Sequence, residues 1–234
     1  MDKSLKVISL FSGAGGMDIG FESAGFQIAV AVELDESCCD TIRANRPTIP
    51  IINKNIVDVS GDEILRIAGL SKGEASLVIG GPPCQSWSLA GLRKGLEDDR
   101  GKLLFEFVRI VRETLPSGFV LENVKGLTNW DNGKALAMLI DELSAPIEWE
   151  GKEYVYHVAP PKVLNALDYG VPQVRERLIL VGNRIGKDYV YPKPLAEKKT
   201  VWDAIGSLPK PEQPSEVAIR VSGTIKERRE KYGQ

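Results

Sequence analysis

The sequence predicts an α/β fold built on a mainly parallel sheet flanked by helices. Three observations carry that expectation. Strand-like and helix-like segments alternate through the first 125 residues, the order expected when helices cross between parallel strands. A glycine-rich turn, Gly13 to Gly16, joins the first strand-like segment to the first helical one. The composition, 43% hydrophobic and 26% charged, is that of an ordinary globular domain.

Taken in order, Lys6–Leu10 reads as a buried strand, Gly16–Ala24 as a helix and Gln27–Val32 as a second strand. Glu36–Asn45 reads as a helix that stops before Pro47, because the residue preceding a proline leaves the helical region. Asp62–Ala68 is a short helix, and Leu77–Gly80 a strand that ends at Gly81-Pro82-Pro83. In Lys102–Leu115 the apolar residues Leu104, Val108 and Val111 recur at helical spacing. Phe119–Leu121 follows as a strand, Ala135–Leu143 as a helix, and Glu153–Val158 and Leu178–Val181 as strands. Residues 1–182 then form the main domain. Residues 183–234, richer in proline and charge, read as a peripheral arm.

Bulk properties exclude several classes. No apolar run approaches the ~20 residues of a membrane span, and the start of the chain lacks the pattern of a signal peptide, so a cytoplasmic protein is expected. Three cysteines (Cys38, Cys39 and Cys84) and one histidine, His157, give neither a disulfide framework nor metal-ligand spacing. No metal site is expected. The net charge of −2 does not suit a protein that grips DNA along a whole face.

Five segments carry candidate chemistry. Leu10-Phe11-Ser12-Gly13-Ala14-Gly15-Gly16 lets the backbone approach a ligand closely, but Asp18 stands where a dinucleotide fingerprint has its third glycine. Glu33, at the end of the second strand, is placed to hold ribose hydroxyls or simply to be solvated. Asp58 reads as an acid beside an adenine or as an ordinary turn residue. Gly80-Gly81-Pro82-Pro83-Cys84-Gln85 puts a thiol on a backbone stiffened by two prolines, and a polar loop follows. A merely buried cysteine needs no such platform. Glu122 in Val120-Leu121-Glu122-Asn123-Val124 is a carboxyl at a strand end, suited to proton donation if desolvated. In Gln173-Val174-Arg175-Glu176-Arg177, alternation puts both arginines on one face. There they suit a base edge, a carboxylate or phosphates.

In this order the segments resemble the DNA cytosine carbon-5 methyltransferase family over residues 5 to about 208. The matching motifs are Phe11-Ser12-Gly13-x-Gly15-Gly16, Pro83-Cys84-Gln85, Arg100-Gly101-x-Leu103, Glu122-Asn123-Val124 and Gln173-x-Arg175-x-Arg177. The resemblance implies a Rossmann-like methyltransferase fold with S-adenosylmethionine as cofactor. Phe11, Ser12, Gly13, Gly15, Gly16, Glu33, Asp58, Pro83 and Leu103 would form its pocket. It also implies that Cys84 attacks carbon 6 of a cytosine flipped out of double-stranded DNA and that Glu122 binds ring nitrogen 3. Arg177 would hold the base and order the loop from 84 to about 100, with Arg175 in support.

Two departures stand out. Ser9 occupies a position where the family has an acid. After Arg177 neither a target-recognition region nor the family's last two motifs can be found. The expectation is therefore one subunit of a split restriction-modification enzyme, with a second polypeptide carrying target recognition and the final cofactor motif. A truncated version of a longer enzyme would look the same. The alternatives are an RNA cytosine methyltransferase and a non-catalytic, cofactor-binding regulatory partner.

Overall fold

The structure, a computed structural model, describes residues 5–83, 102–208 and Gly223. Its strands are β1 (Leu5–Leu10), β2 (Phe26–Glu33), β3 (Ile51–Asn53), β4 (Leu77–Gly80), β5 (Gly118–Val124), β6 (Ile147–Trp149), β7 (Lys152–Tyr154), β8 (His157–Val158), β9 (Lys162–Asn165) and β10 (Glu176–Asn183). The helices are α1 (Gly16–Ser23), α2 (Glu36–Asn45), α3 (Gly61–Ala68), α4 (Lys102–Thr114), α5 (Lys134–Ser144) and α6 (Val201–Ile205).

The main sheet runs in the order β3-β2-β1-β4-β5-β10-β8, and β9 also pairs with β10. β1 to β5 are mutually parallel, and β10 joins β5 antiparallel. Burial on both faces explains why the parallel strands read as continuous apolar runs. On one face Val7, Ile28, Ala31 and Ile79 pack with Ile42 of α2 and with Met17 and Phe21 of α1. On the other, Ile8, Val30, Val78, Phe119 and Leu121 pack with Ile64 of α3, Phe107 and Val111 of α4 and Leu139 of α5. The result is a helix–sheet–helix sandwich.

After β3 the chain crosses back to lay β4 beside β1, so the strand order reverses between these two neighbours. The segments leaving β1 and β4 diverge there and open the crevice in which open α/β sheets bind ligands. Because β10 is antiparallel to β5, its first residues lie at this same edge. Its register sets Ile179 opposite Glu122 and Arg177 opposite Val124.

Two sequence expectations are corrected, and one strand, β3, was not expected. The strand expected over Glu153–Val158 is two short strands: β7 pairs with β6 in a separate hairpin, and β8 pairs with β10. Between them Tyr156 is buried and donates its hydroxyl to the Pro116 carbonyl at 2.6 Å, which turns the chain from one sheet to the other. Glu122 lies within β5 rather than at its end, because the strand continues through Asn123 and Val124. β3, only three residues long, is too short to show a period. The arm after β10 is largely exposed as far as residue 208. It is anchored where Tyr191 donates to the Ile179 carbonyl at 2.9 Å and where the Leu195 amide donates to the Asp168 carbonyl at 2.8 Å.

Candidate active site

Two cavities meet at the carboxyl edge of the sheet. The larger, about 590 Å³, is lined by Phe11, Val32, Glu33, Leu34, Asp35, Glu36, Lys54, Asn55, Ile56, Gly81, Pro83 and Leu103. The smaller, about 400 Å³, is lined by Ser9, Leu10, Phe11, Ser12, Gly16, Met17, Gly80, Gly81, Glu122 and Arg175. Phe11 and Gly81 border both. Phe11 holds a left-handed backbone, φ 52°, a costly state for a bulky residue that persists where its surroundings enforce it.

The walls of the larger cavity are set by backbone bonding. Glu33 ends β2, and its Oε2 accepts the Gly13 amide at 2.7 Å. Its Oε1 accepts the amides of Leu34 at 2.9 Å and Asp35 at 2.8 Å. A carboxylate offers about four acceptor positions, so one remains for a ligand hydroxyl. The opposite wall is held from α4. Nη2 of Arg109 donates to the carbonyls of Ile56 at 2.9 Å and Val59 at 3.0 Å, while its Nε donates to Glu106 at 2.8 Å. Leu103, in the first turn of α4, completes that side.

At the junction of the cavities, glycine is required by space. A Cβ on Gly80 would lie 2.7 Å from the Leu10 carbonyl oxygen, and one on Gly81 would lie 2.9 Å from Oε2 of Glu122. Glu122 pairs through Oε1 with Nε of Arg177 at 2.7 Å, both groups being partly exposed. Arg175 lines the smaller cavity beside Glu122, so the two arginines do share a side. The adjacent Asn123 is buried and donates through Nδ2 to the Pro82 carbonyl at 3.1 Å. β5 thus supplies the acid and also steadies the Gly-Pro-Pro turn that leads to Cys84.

Of the residues singled out from sequence, Phe11, Glu33, Pro83 and Leu103 line the larger cavity, and Ser12, Gly16, Glu122 and Arg175 the smaller. Gly13 binds Glu33, and Gly15 is the left-handed residue, φ 83°, that caps α1. Asp58 is the exception. It is exposed in a 3₁₀ turn, Ile56–Asp58, and lines neither cavity. The Asn55 side chain accepts the Val57 amide at 3.3 Å and caps this turn, which leaves Asn55 and Ile56 on the cavity and carries Asp58 past it. Cys84 and the loop from 84 to about 100, like the basic residues Lys226, Arg228, Arg229 and Lys231, lie outside the described residues. The other two thiols, Cys38 and Cys39, are both free, and burial is the main cause pushing each above the ordinary thiol range, which disfavours thiolate.

Asn55, Asn123 and Asp18 were missed as contributors. For Asn123 a signal existed, since a polar side chain falls in the inward register of an otherwise apolar strand.

The larger cavity suits S-adenosylmethionine better than a dinucleotide. Phe11, Leu34, Ile56, Pro83 and Leu103 offer apolar surface for a flat base. Glu33, Asp35 and Glu36 outnumber Lys54, which favours a cationic ligand over a pyrophosphate. The Gly13 amide, which a phosphate would need, is already bonded to Glu33. Fold and site together define the class of S-adenosylmethionine-dependent methyltransferases.

The family is narrower still. Residues 5–231 match the model of the C-5 cytosine-specific DNA methylases. A type II methyltransferase of Picosynechococcus sp., M.AquIA, is 53% identical over 245 residues, covering 97% of this chain and 98% of that protein. M.XorII of Xanthomonas oryzae pv. oryzae is 45% identical over 203 residues, covering 86% of this chain and 46% of that protein. The chain spans between 46% and 58% of the length of seven such longer type II methyltransferases. Among solved structures, one described as a prophage-encoded DNA modification methyltransferase from E. coli superposes with a TM-score of 0.74 at 29% identity, covering 89% of this chain and 56% of that one. The chain belongs to the C-5 cytosine-specific DNA methylase family, whose methyl donor is S-adenosylmethionine.

Proposed function

We propose that this chain methylates carbon 5 of a cytosine in a specific DNA sequence through a covalent Cys84 adduct, as the catalytic subunit of a type II restriction-modification methyltransferase. The observation that carries the reading is the Glu122–Arg177 pair, 2.7 Å apart, lining up beside the Gly-Pro-Pro turn where the two cavities meet. The pair lies beside Gly81, in the turn that precedes Cys84 in sequence.

Carbon 5 of cytosine is a poor nucleophile. Addition of the Cys84 thiolate at carbon 6 moves electron density onto carbon 5 and ring nitrogen 3. In this reading Glu122 holds proton density at nitrogen 3, and Arg177 neutralises the carboxylate and reaches the base edge. When bound, S-adenosylmethionine supplies an electrophilic methyl group on a sulfonium. Loss of the carbon 5 proton to solvent water restores the ring double bond and expels Cys84 as thiolate. A free thiol has a pKa of about 8.5, so positive charge near the turn favours the attacking form. The residues proposed to hold the cofactor are Phe11, Glu33, Asn55, Ile56, Pro83 and Leu103 on the larger cavity, with Ser12, Gly13, Gly15 and Gly16 shaping the turn beside it.

The same proposal assigns target recognition and closure of the cofactor site to a second polypeptide. Support comes from M.AquIA, a type II methyltransferase matched along 98% of its own length. Flipping a base costs a few kcal/mol, which groove contacts normally offset.

The test is tritiated methyl transfer to genomic DNA by the 234-residue chain, alone and with the product of the adjacent gene. We expect little incorporation alone and sequence-specific incorporation with the partner. Strong specific methylation by the chain alone removes the second subunit. With the partner present, the Cys84→Ser variant should lose methyl transfer entirely, and DNA carrying 5-fluorocytosine should trap the parent covalently. Near-parental turnover by Cys84→Ser rejects the covalent mechanism.

A further inference from the structure

One wall of the larger cavity is fixed from outside its own segment. Asn55 and Ile56 line the cavity at a 3₁₀ turn of only three residues, Ile56–Asp58. Hydrogen-bond geometry is poor in such turns, so a short one needs outside support. Val57 and Asp58 are exposed, whereas Ile56 and Val59 are buried. The carbonyls of those two buried residues need donors. Ile56 receives the Val59 amide at 3.2 Å. Both carbonyls also receive the Arg109 side chain, at 2.9 and 3.0 Å.

Every nitrogen of that guanidinium is engaged. Nη2 takes the two carbonyls, Nε donates to Glu106 at 2.8 Å, and Nη1 donates to both oxygens of Glu113 at 3.0 Å. Glu113 in turn accepts the amide of Gly61, the first residue of α3, at 2.6 Å. Arg109 and Glu113 of α4 therefore grip the chain from Ile56 to Gly61. Both also line a groove of about 360 Å³ bounded by α4, Lys72 and Glu142 of α5. With its nitrogens already committed, Arg109 has no donor to offer an anion in that groove. Its geometry is that of a bolt between a helix and a turn. Leu103, six residues earlier on the same helix, lines the same cavity as Asn55 and Ile56.

We propose that Arg109 is a positioning residue for cofactor binding. By pinning the Ile56 and Val59 carbonyls to α4, it sets where the Asn55–Ile56 wall stands relative to Leu103, and so tunes the affinity of a cavity that it does not itself line. The proposal rests on the assignment of the larger cavity to the nucleoside end of the cofactor.

The same helix supplies a matched control. Arg112 also binds carbonyls, those of Glu142, Ala145 and Pro146 at 3.3, 3.0 and 2.9 Å, but it ties α4 to the end of α5 and lines neither cavity of the site. Loss of either arginine should lower the melting temperature, whereas only loss of Arg109 should move the cavity wall. Binding to the full chain is measured by calorimetry with S-adenosylhomocysteine and with 5′-methylthioadenosine, which shares the nucleoside and lacks the amino acid. Arg109→Met should weaken both ligands about tenfold or more, an effect the size of one lost charge-assisted hydrogen bond, and by the same factor. Arg112→Met should leave both within about twofold.

Arg109→Lys gives a second arm, and it carries the test if Arg109→Met does not fold. Lysine keeps the charge, but a single ammonium lacks the planar fork that spans two carbonyls and two carboxylates. Its affinity for both ligands should therefore stay well below that of the parent. Amide hydrogen exchange without ligand locates the change. Exchange over residues 56–61 should quicken in both Arg109 variants and stay as in the parent in Arg112→Met, since local opening follows local contacts. Parental affinity in the Arg109 variants, or full recovery with lysine, overturns the proposal. So does an equal loss of affinity in Arg112→Met, which would make the effect one of general stability. A parent that binds neither ligand rejects the cofactor assignment itself.

Discussion

Glu33 and Glu122 are both glutamates on strands of the same parallel sheet, facing the same edge, yet they are held in opposite ways. Glu33 is bound by three backbone amides from two turns. Glu122 is held by one side chain, Arg177, from an antiparallel neighbour. Backbone amides cannot leave without unmaking the turns, so Glu33 is a fixed part of a wall. A guanidinium on a flexible stem can exchange partners, so Glu122 can release one contact as a base arrives. On the proposed function, the cofactor side of the molecule is a preformed receptor and the base side a pair that can rearrange.

The largest expected effect is on the rearranging side. Glu122→Gln keeps the shape but removes the exchangeable proton and the charge that pairs with Arg177. General acid–base groups contribute about 10²–10⁴-fold, and a loss of that size is expected in the single-turnover methylation rate, with cofactor affinity within about twofold. Unaltered single-turnover methylation would remove Glu122 from the chemistry.

On the fixed side the loss should appear in binding. Glu33→Gln leaves one acceptor oxygen where three amides now converge, and its NH₂ group faces at least one of them. Unsatisfied or opposed groups of this kind cost about 1–3 kcal/mol, so S-adenosylhomocysteine affinity should fall about fivefold to 150-fold. At saturating cofactor the single-turnover rate should stay near that of the parent. Should Glu33→Gln slow chemistry at saturation as much as Glu122→Gln does, the division into receptor and rearranging pair is wrong.

A smaller effect tests the Asn123 contact. Asn123→Asp keeps the size but replaces the donor to the Pro82 carbonyl with an acceptor. The turn leading to Cys84 loses its tether, and a drop of about tenfold in rate, of the order of one lost hydrogen bond, is expected with S-adenosylhomocysteine binding nearly unchanged. If binding collapses along with rate, Asn123 supports the whole sheet edge rather than this turn.

How much of this was legible in the sequence differs between the two sides. The parallel half was readable because its strands are apolar runs separated by glycine- and proline-rich turns, and α2 and β4 have the expected bounds. Glu33 and the Gly-Pro-Pro turn could be found because they end such runs. The antiparallel half was harder. β6, β8 and β9 are only two to four residues long, and β8 and β9 owe their pairing to β10 further along the chain. The Glu122–Arg177 pair depends on the β5–β10 register, which spans more than fifty residues and leaves no local pattern. Asp18 was read only as a missing glycine, since its contact with Ser9 depends on how α1 packs against β1.

The smallest predicted effect distinguishes two residues three positions apart. From sequence, the acid Asp58 is the natural partner for the polar edge of an adenine. In the structure, the 3₁₀ turn carries it into solvent and leaves Asn55 on the cavity wall. Exposed substitutions away from special features change stability by less than about 0.5 kcal/mol. Asp58→Asn should therefore leave affinity for both S-adenosylhomocysteine and 5′-methylthioadenosine within about twofold. Asn55→Ala removes both the polar edge and the cap on Val57, so a simple loss of affinity would not show which matters. Asn55→Asp keeps the cap oxygen and exchanges the amide donor for an acceptor. If the side chain meets the adenosine end directly, Asn55→Asp should alter affinity for the two ligands by the same factor, because they share the nucleoside. If Asn55→Asp leaves both affinities unchanged and Asp58→Asn lowers them, the turn is placed differently in solution and Asp58 belongs to the pocket after all.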